Sequence, residues 1–265
     1  MSGRVSITFD DGLASVYWLA LAEMERYGVS GTTFVVSDLV GKHYLGYPVM
    51  NKKMLLDLSS AGWEIGSHTR THPNLVSLPD QQLNEELESS KQRLESLVMK
   101  PVTSLAYPYG QIDNRIVLRA RRHYNQARAL SRYPPLRLNS PHPRDRMRLN
   151  AMSVCEPAVT LPLHLYEAYL PKPVTRTLHR IFHKRTEHVL GAVAAGPTSL
   201  NARVVAKWIR RTRKDAWLIL CFHDIARERA ANLYSIALRE FRDIVRVVAA
   251  GSQHVVTIKN GCEDE

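Results

Sequence analysis

Val5-Ser6-Ile7-Thr8-Phe9-Asp10-Asp11-Gly12 is the stretch that decides the fold. A run rich in β-branched and aromatic residues passes without a linker into two adjacent carboxylates and a glycine. The sequence therefore predicts a core strand, Val5 to Phe9, that delivers Asp10 and Asp11 at its C-terminal end. In parallel α/β barrels that end of the strands is where active sites are assembled. A polar strand-to-helix turn, with Asp11 capping the next helix, is the other reading of the same residues.

Outward from this strand, β-rich runs alternate with helical patterns. A helix near Ser15 to Tyr27, the strand Thr32 to Val36, a helix near Lys52 to Ser60 and the strand Trp63 to Ile65 come first. From Pro79 to Met99, Leu83, Leu87, Leu94 and Leu97 recur at helical spacing, with Ser77 and Asp80 as a capping-box start. The strand Thr103 to Ala106, a helix near Asn114 to Tyr124 and strands near Ala127 to Leu130 and Ala151 to Val154 continue the pattern. A helix at Ala202 to Arg213, the strand Trp217 to Phe222, a helix at Ser235 to Ala249 and the strand His254 to Ile258 end it. Seven or eight βα repeats predict an α/β fold whose parallel sheet closes into a barrel. One domain, 1–265, is expected, because no linker interrupts the pattern. The irregular, Pro-punctuated stretch 131–198 reads as an insertion, basic over about 155–198 and most strongly from Leu170 to Arg185.

Composition narrows the classes. The 265 residues are 45% hydrophobic, enough for a sizeable core. Three cysteines without CxxC spacing argue against a disulfide framework and a thiolate zinc site, and fit a reducing cytoplasm. No run of 18 apolar residues and no leader pattern is present, so a cytoplasmic protein, able to associate with a membrane surface, is expected. The net charge of +11 predicts attraction to anionic partners. No nucleic-acid motif accompanies the basic segments, so a lipid-linked phosphate or an anionic membrane surface is the expected partner and nucleic acid is not. Solvated cationic helix faces would account for the same charges.

Four short motifs carry chemistry. His68 and His72 stand four apart in Ser67-His68-Thr69-Arg70-Thr71-His72-Pro73, and on a helical turn both would face one ion. Two histidines and a carboxylate leave coordination positions open for water and a substrate carbonyl, and Asp11, His68 and His72 supply that set. Ala106-Tyr107-Pro108-Tyr109-Gly110 is a rigid turn able to expose a backbone N–H. His223, after the apolar strand Trp217 to Phe222, is placed to act as a general acid. Surface histidines, an ordinary turn and a structural histidine are the bland readings of these motifs.

Taken together and in order, Thr8-Phe9-Asp10-Asp11-Gly12, the His68–His72 motif, Ala106-Tyr107-Pro108-Tyr109-Gly110 and Phe222-His223 resemble the motifs of the polysaccharide deacetylase (NodB-homology, carbohydrate esterase family 4) proteins, over roughly residues 4 to 130 and 215 to 258. The resemblance implies a distorted (β/α) barrel, often seven-stranded. It implies Asp11, His68 and His72 as ligands of a divalent metal, most often zinc, with cobalt, nickel or manganese as alternatives. It further implies Asp10 as general base, His223 as general acid, and Pro108 and Tyr109 as a turn whose Tyr109 N–H helps to hold the oxyanion. Two departures stand out. Ala106 occupies the place of an arginine that would hold Asp10, and Arg148 is the candidate to replace it. No Asp-Trp motif that would orient His223 is recognisable, and Asp224, adjacent in the chain, points to the other face.

The activity implied is metal-dependent removal of N-acetyl groups from amino sugars: N-acetylglucosamine units of an oligosaccharide, a polysaccharide or a lipid-linked sugar. An allantoinase-like hydrolysis of a small cyclic amide and a catalytically weak carbohydrate-binding protein of the same fold are the alternatives. Acetate release, compared with turnover of allantoin, separates them.

Overall fold

Strand β1, Arg4–Phe9, is buried along its entire length even though every second side chain is polar. The polar groups are satisfied inside the fold: Arg4 Nη1 donates to Gly261 O at 2.8 Å, Ser6 Oγ to Val256 O at 2.7 Å and Thr8 Oγ1 to Leu220 O at 2.9 Å. A strand covered on both faces can carry such residues only with partners of this kind. The computed structural model describes residues 3–130, 138–140, 142–154, 202–212, 216–228, 235–251 and 253–263. The expected basic insertion, about 155–198, including Leu170 to Arg185, lies outside them.

Parallel strands follow β1 around a ring: β2 (Thr32–Val35), β5 (Glu64–Ser67), β6 (Ser104–Ala106), β7 (Gln126–Leu130), β8 (Leu149–Ser153) and β9 (Trp217–Phe222). β9 then pairs with β1 from Arg4↔Trp217 to Phe9↔Phe222, which closes a barrel, as the repeats foretold, with the seven strands the resemblance implies. Between β2 and β5 lies a small antiparallel hairpin, β3 (His43–Tyr44) and β4 (Tyr47–Pro48). Strands β10 (Asp224–Ala226) and β11 (Ser235–Ala237) pair with each other. The short β12 (His254–Val255) joins β1 only at Arg4 and Val5, below the point where β2 takes over at Thr8 and Phe9.

The α-helices among the described residues are α1 (Leu21–Glu25), α2 (Lys52–Ser60), α3 (Asp80–Val98), α4 (Asn114–Ala120), α5 (Ala202–Arg211), α6 (Leu238–Ala249) and α7 (Ile258–Cys262). Asn51 caps α2, Asp113 caps α4 and Thr257 caps α7. The capping box expected at α3 does not form. Pro79 holds the N-cap position, and Ser77 Oγ donates to Asn74 O instead. A π-helical turn, Val16–Ala20, breaks the first expected helix, and Ser235–Ala237 is strand rather than the start of α6. No described helix is long and apolar enough to cross a membrane. Cys221 and Cys262 are free and buried.

Candidate active site

All the motif residues converge at the C-terminal mouth of the barrel. Asp10 and Asp11 follow β1, His68 follows β5, the Pro108–Gly110 turn follows β6, and His223 follows β9. Asp11 takes a left-handed backbone, φ 67°, and so do Thr69, His72 and Tyr109 at 66°, 65° and 58°. Such conformations cost a non-glycine residue energy and concentrate where a fold needs a particular side-chain direction. At Gly110 there is no room for anything else, since a Cβ would meet Leu130 N at 2.6 Å.

His68 and His72 converge through a loop, not the helical turn expected. The two left-handed residues fold the chain back, and the Glu86 carboxylate of α3 pins it, accepting from Arg70 N and Thr71 N at 2.9 Å and from Thr71 Oγ1 at 2.7 Å. Thr69 Oγ1 accepts from His72 N at 3.1 Å. As a result His68 Nε2 and His72 Nε2 lie 3.2 Å apart, and Asp11 Oδ1 stands 3.7 Å and 3.6 Å from them.

That triangle fits a metal ion. Bonds of about 2.0–2.2 Å in a tetrahedron place neighbouring donor atoms about 3.3–3.5 Å apart. The chemistry of the donors fits as well. His68 Nδ1 donates to Ala106 O at 2.8 Å, which leaves the Nε2 lone pair facing inward. Burial holds His68 below its ordinary pKa. Burial, followed by the neighbouring His68, holds His72 well below its own, so both rings are neutral as ligands must be. Burial, then the charge of Asp10, pushes Asp11 up to about 8 against the pull of Arg128. A carboxyl so disfavoured as an anion gains most from a nearby cation.

Asp10 is held differently. Arg128 of β7, fully buried, donates through Nη2 to Asp10 Oδ1, while Cys221 Sγ of β9 donates to Asp10 Oδ2 at 3.4 Å. The guanidinium lies 4.8 Å from the Phe34 ring centre. Burial alone would raise the Asp10 pKa. The charge of Arg128, then those of His68 and His223, outweigh it and keep the carboxyl below its ordinary value. His68 Nε2 is 3.8 Å and His223 Nε2 4.0 Å from Asp10 Oδ2. Burial draws His223 down to about 4, with Asp10 opposing. Asp10, Cys221 and His223 also cluster tightly enough to bind an ion, but Arg128 touches two of the three and places a fixed positive charge there.

The expected role of Arg148 is corrected by this arrangement. Arg148 Nη2 donates to Asn114 Oδ1 at 2.7 Å and its Nε pairs with Asp145 at 3.1 Å, on the surface and away from Asp10. Arg128 does what Ala106 cannot. The sequence did carry a signal for it: in Gln126-Ala127-Arg128-Ala129-Leu130 a charged residue interrupts a strand with no exposed face, and such a charge needs a partner. Asp224 does point away, accepting from Ser235 Oγ at 2.5 Å.

Residues 2–127 match the model of a family described as polysaccharide deacetylase. The chain is 31% identical over 110 residues to YxkH of Bacillus subtilis (strain 168), named provisionally as a polysaccharide deacetylase, and the match covers 41% of this chain and 38% of that protein. It is 26% identical over 120 residues to a poly-beta-1,6-N-acetyl-D-glucosamine N-deacetylase of Staphylococcus aureus (strain MRSA252), covering 42% of this chain and 41% of that one. The chain thus spans about two-fifths of the length of these relatives. Among solved structures, the Xyl-CE4 domain of a multidomain xylanase from the hindgut metagenome of Trinervitermes trinervoides matches with a TM-score of 0.56 at 16% identity, over 98% of this chain and 90% of that one. A CE4 family pseudoenzyme from Bacillus anthracis matches with a TM-score of 0.57 at 12% identity, over 99% and 66%. At such identities the likeness is one of fold.

Proposed function

We infer, from the match of residues 2–127 to the polysaccharide deacetylase family model, that this chain is a metal-dependent hydrolase that removes N-acetyl groups from amino sugars. The observation that carries the reading is the triangle of Asp11 Oδ1, His68 Nε2 and His72 Nε2, with Asp10 at its side and tied to Arg128. The three residues would hold a divalent ion, zinc by preference, with cobalt, nickel or manganese as substitutes. Bound there, the ion would supply Lewis acidity and a water whose pKa is brought to roughly 7.

The protein's own groups do the rest. Asp10, kept ionised by Arg128, takes the proton of the attacking water. The Tyr109 N–H, on the turn that Pro108 begins, is the donor for the developing oxyanion. His223 protonates the departing amine. With its pKa near 4 it is neutral at rest, so the proton reaches it during turnover, and Asp10 Oδ2, 4.0 Å from His223 Nε2, is the source within reach. All of this lies within a single domain, 1–265. N-acetylglucosamine units of an oligosaccharide, polysaccharide or lipid-linked sugar are the proposed substrate, a choice supported by the named activity of the Staphylococcus relative. The anionic surface proposed for Leu170 to Arg185 rests on sequence charge alone.

Elemental analysis of the purified chain, combined with acetate release from N-acetylglucosamine oligomers, tests the reading. Bound metal with chelator-sensitive acetate release supports it. Turnover of allantoin without acetate release, or neither activity in the metal-loaded protein, overturns it.

A further inference from the structure

His72 is gripped from two sides. The Tyr109 ring meets it edge-on with centres 4.7 Å apart, and the Tyr44 ring does so at 5.5 Å. Tyr44 also places its hydroxyl 3.1 Å from His72 Nδ1. We propose that Tyr44 is a positioning residue for the metal centre: its hydroxyl accepts the Nδ1–H of His72 and fixes the ring tautomer and plane. The proposal rests on the metal reading of Asp11, His68 and His72.

The tautomer argument runs from the ion outward. A neutral imidazole carries one hydrogen, so an Nε2 that lends its lone pair to a cation must carry that hydrogen on Nδ1. For His68 the acceptor is a backbone carbonyl, Ala106 O. For His72 it is the Tyr44 phenol. On its other side the His72 ring packs edge-on against Tyr109, centres 4.7 Å apart, so the ligand lies between Tyr44 and the turn proposed as the oxyanion donor.

The hairpin that carries Tyr44 is built to hold it still. Two short strands are barely stable alone, but this pair is docked on the metal-binding turn. Met50 N donates to Gly12 O at 2.9 Å and Val49 bridges Leu13, while Val49 N donates to Lys42 O at 2.9 Å within the hairpin itself. The tip residues Leu45 and Gly46 are both left-handed, at φ 49° and 86°, the signature of a tight hairpin turn that suits Asn-Gly better than Leu-Gly. Leu45 at that tip is 68% exposed, so the turn is not shaped by burial of that residue.

Tyr44→Phe removes the hydroxyl and keeps the ring. Zinc affinity of the full chain is measured by competition with a chromogenic chelator, and the visible spectrum of the cobalt-substituted protein reports ligand geometry. Tyr47→Phe, on the same hairpin, is the control, and unfolding of each metal-free variant checks the fold. Tyr44→Phe should bind zinc about 10- to 100-fold more weakly, the usual loss when a ligand's outer partner is removed, and shift the cobalt spectrum, while Tyr47→Phe matches the wild type in both. Unchanged affinity and spectrum in Tyr44→Phe overturn the proposal alone. Equal losses in both variants overturn it in favour of a general effect of the hairpin. A wild-type chain that takes up no metal overturns the metal reading and this proposal with it.

Discussion

Replacing Arg128 with Met leaves Asp10 buried without its counter-charge. Both partners are buried, with exposures of 0% and 1%, so solvent gives no screening to soften the loss. Removing one member of such a pair costs about 3–5 kcal/mol. The carboxylate has one escape, which is to take up a proton. For an ordinary carboxyl that costs about 4 kcal/mol at pH 7 but only about 1.5 kcal/mol at pH 5. The expected destabilisation is therefore about 3–4 kcal/mol at pH 7, and it shrinks on acidification. The signs of the two proteins are opposite. In the wild type the lowered pKa of Asp10 contributes stability that is present above the unfolded pKa and is lost as pH falls through the folded one. In Arg128→Met the Asp10 pKa is raised, so stability is lost as pH rises from the unfolded value to the folded one. Urea unfolding of chelator-treated protein at pH 5 and pH 7 measures both. In an Asp10→Asn background the same Arg128→Met change should cost at least 1 kcal/mol less, on the order of couplings between contacting groups. A penalty that is the same in both backgrounds, or no penalty at pH 7, refutes the pairing.

Other expectations concern the ion and the proton transfers. Asp11→Ala, His68→Ala and His72→Ala should each lose metal at limiting zinc, since each removes one of three protein ligands, and full occupancy by elemental analysis in all three would sink the assignment. Asp10→Asn should keep its metal and lose roughly a hundredfold or more in turnover, whereas metal loss in that variant with retention in Asp11→Asn reverses the two roles. His223→Ala should impair an acetamide more than an acetyl ester, because an alcohol leaves without prior protonation more readily than an amine, and equal impairment would make it a positioning group. Because Asp11 sits near 8 without metal and both histidine ligands are already neutral, zinc uptake at pH 7 should expel close to one proton from Asp11. Affinity should accordingly rise with pH and level off above about 8. Titration calorimetry in buffers of differing ionisation enthalpy counts that proton, and a count of zero would contradict the shift.

Much of this was legible in the sequence because its signals are local. Val5 to Phe9 followed by Asp10 and Asp11 contains both the strand and the direction of its carboxylates. The repeat of strand and helix sufficed for a barrel, since parallel strands joined by helices close in few ways. What escaped reading depended on distance. Arg128 reaches Asp10 across 118 positions, and nothing near Asp10 announces it. Arg148 lies in an exposed basic turn, whereas the signal of Arg128 is a charge inside a strand with no exposed face. The loop shape of His68 to His72 escaped as well, because a spacing of four is helical by default and the pinning carboxylate, Glu86, belongs to another element. Tyr44 had a faint signal in Tyr44-Leu45-Gly46-Tyr47, a turn between aromatic residues, but no pattern of period or charge linked it to His72.

The pairing that shuts the barrel joins the first strand to one more than 200 residues later, register for register over the whole of β1. On a ribosome adding about 5–20 residues per second, β1 would wait roughly 10–40 seconds for β9 to emerge. Through that interval Phe9, fully buried in the finished molecule, lacks Phe222 and Phe241, whose rings lie 5.6 Å and 5.8 Å from its own. Closure so remote along the chain is also slow once synthesis is complete, since the loop entropy must be lost before the contacts form. An incomplete barrel of this kind leaves apolar surface and an unpaired strand edge open, the condition under which chains aggregate. Apolar-to-polar changes on β1 should lower the yield of soluble protein during synthesis more than their effect on the completed fold would suggest.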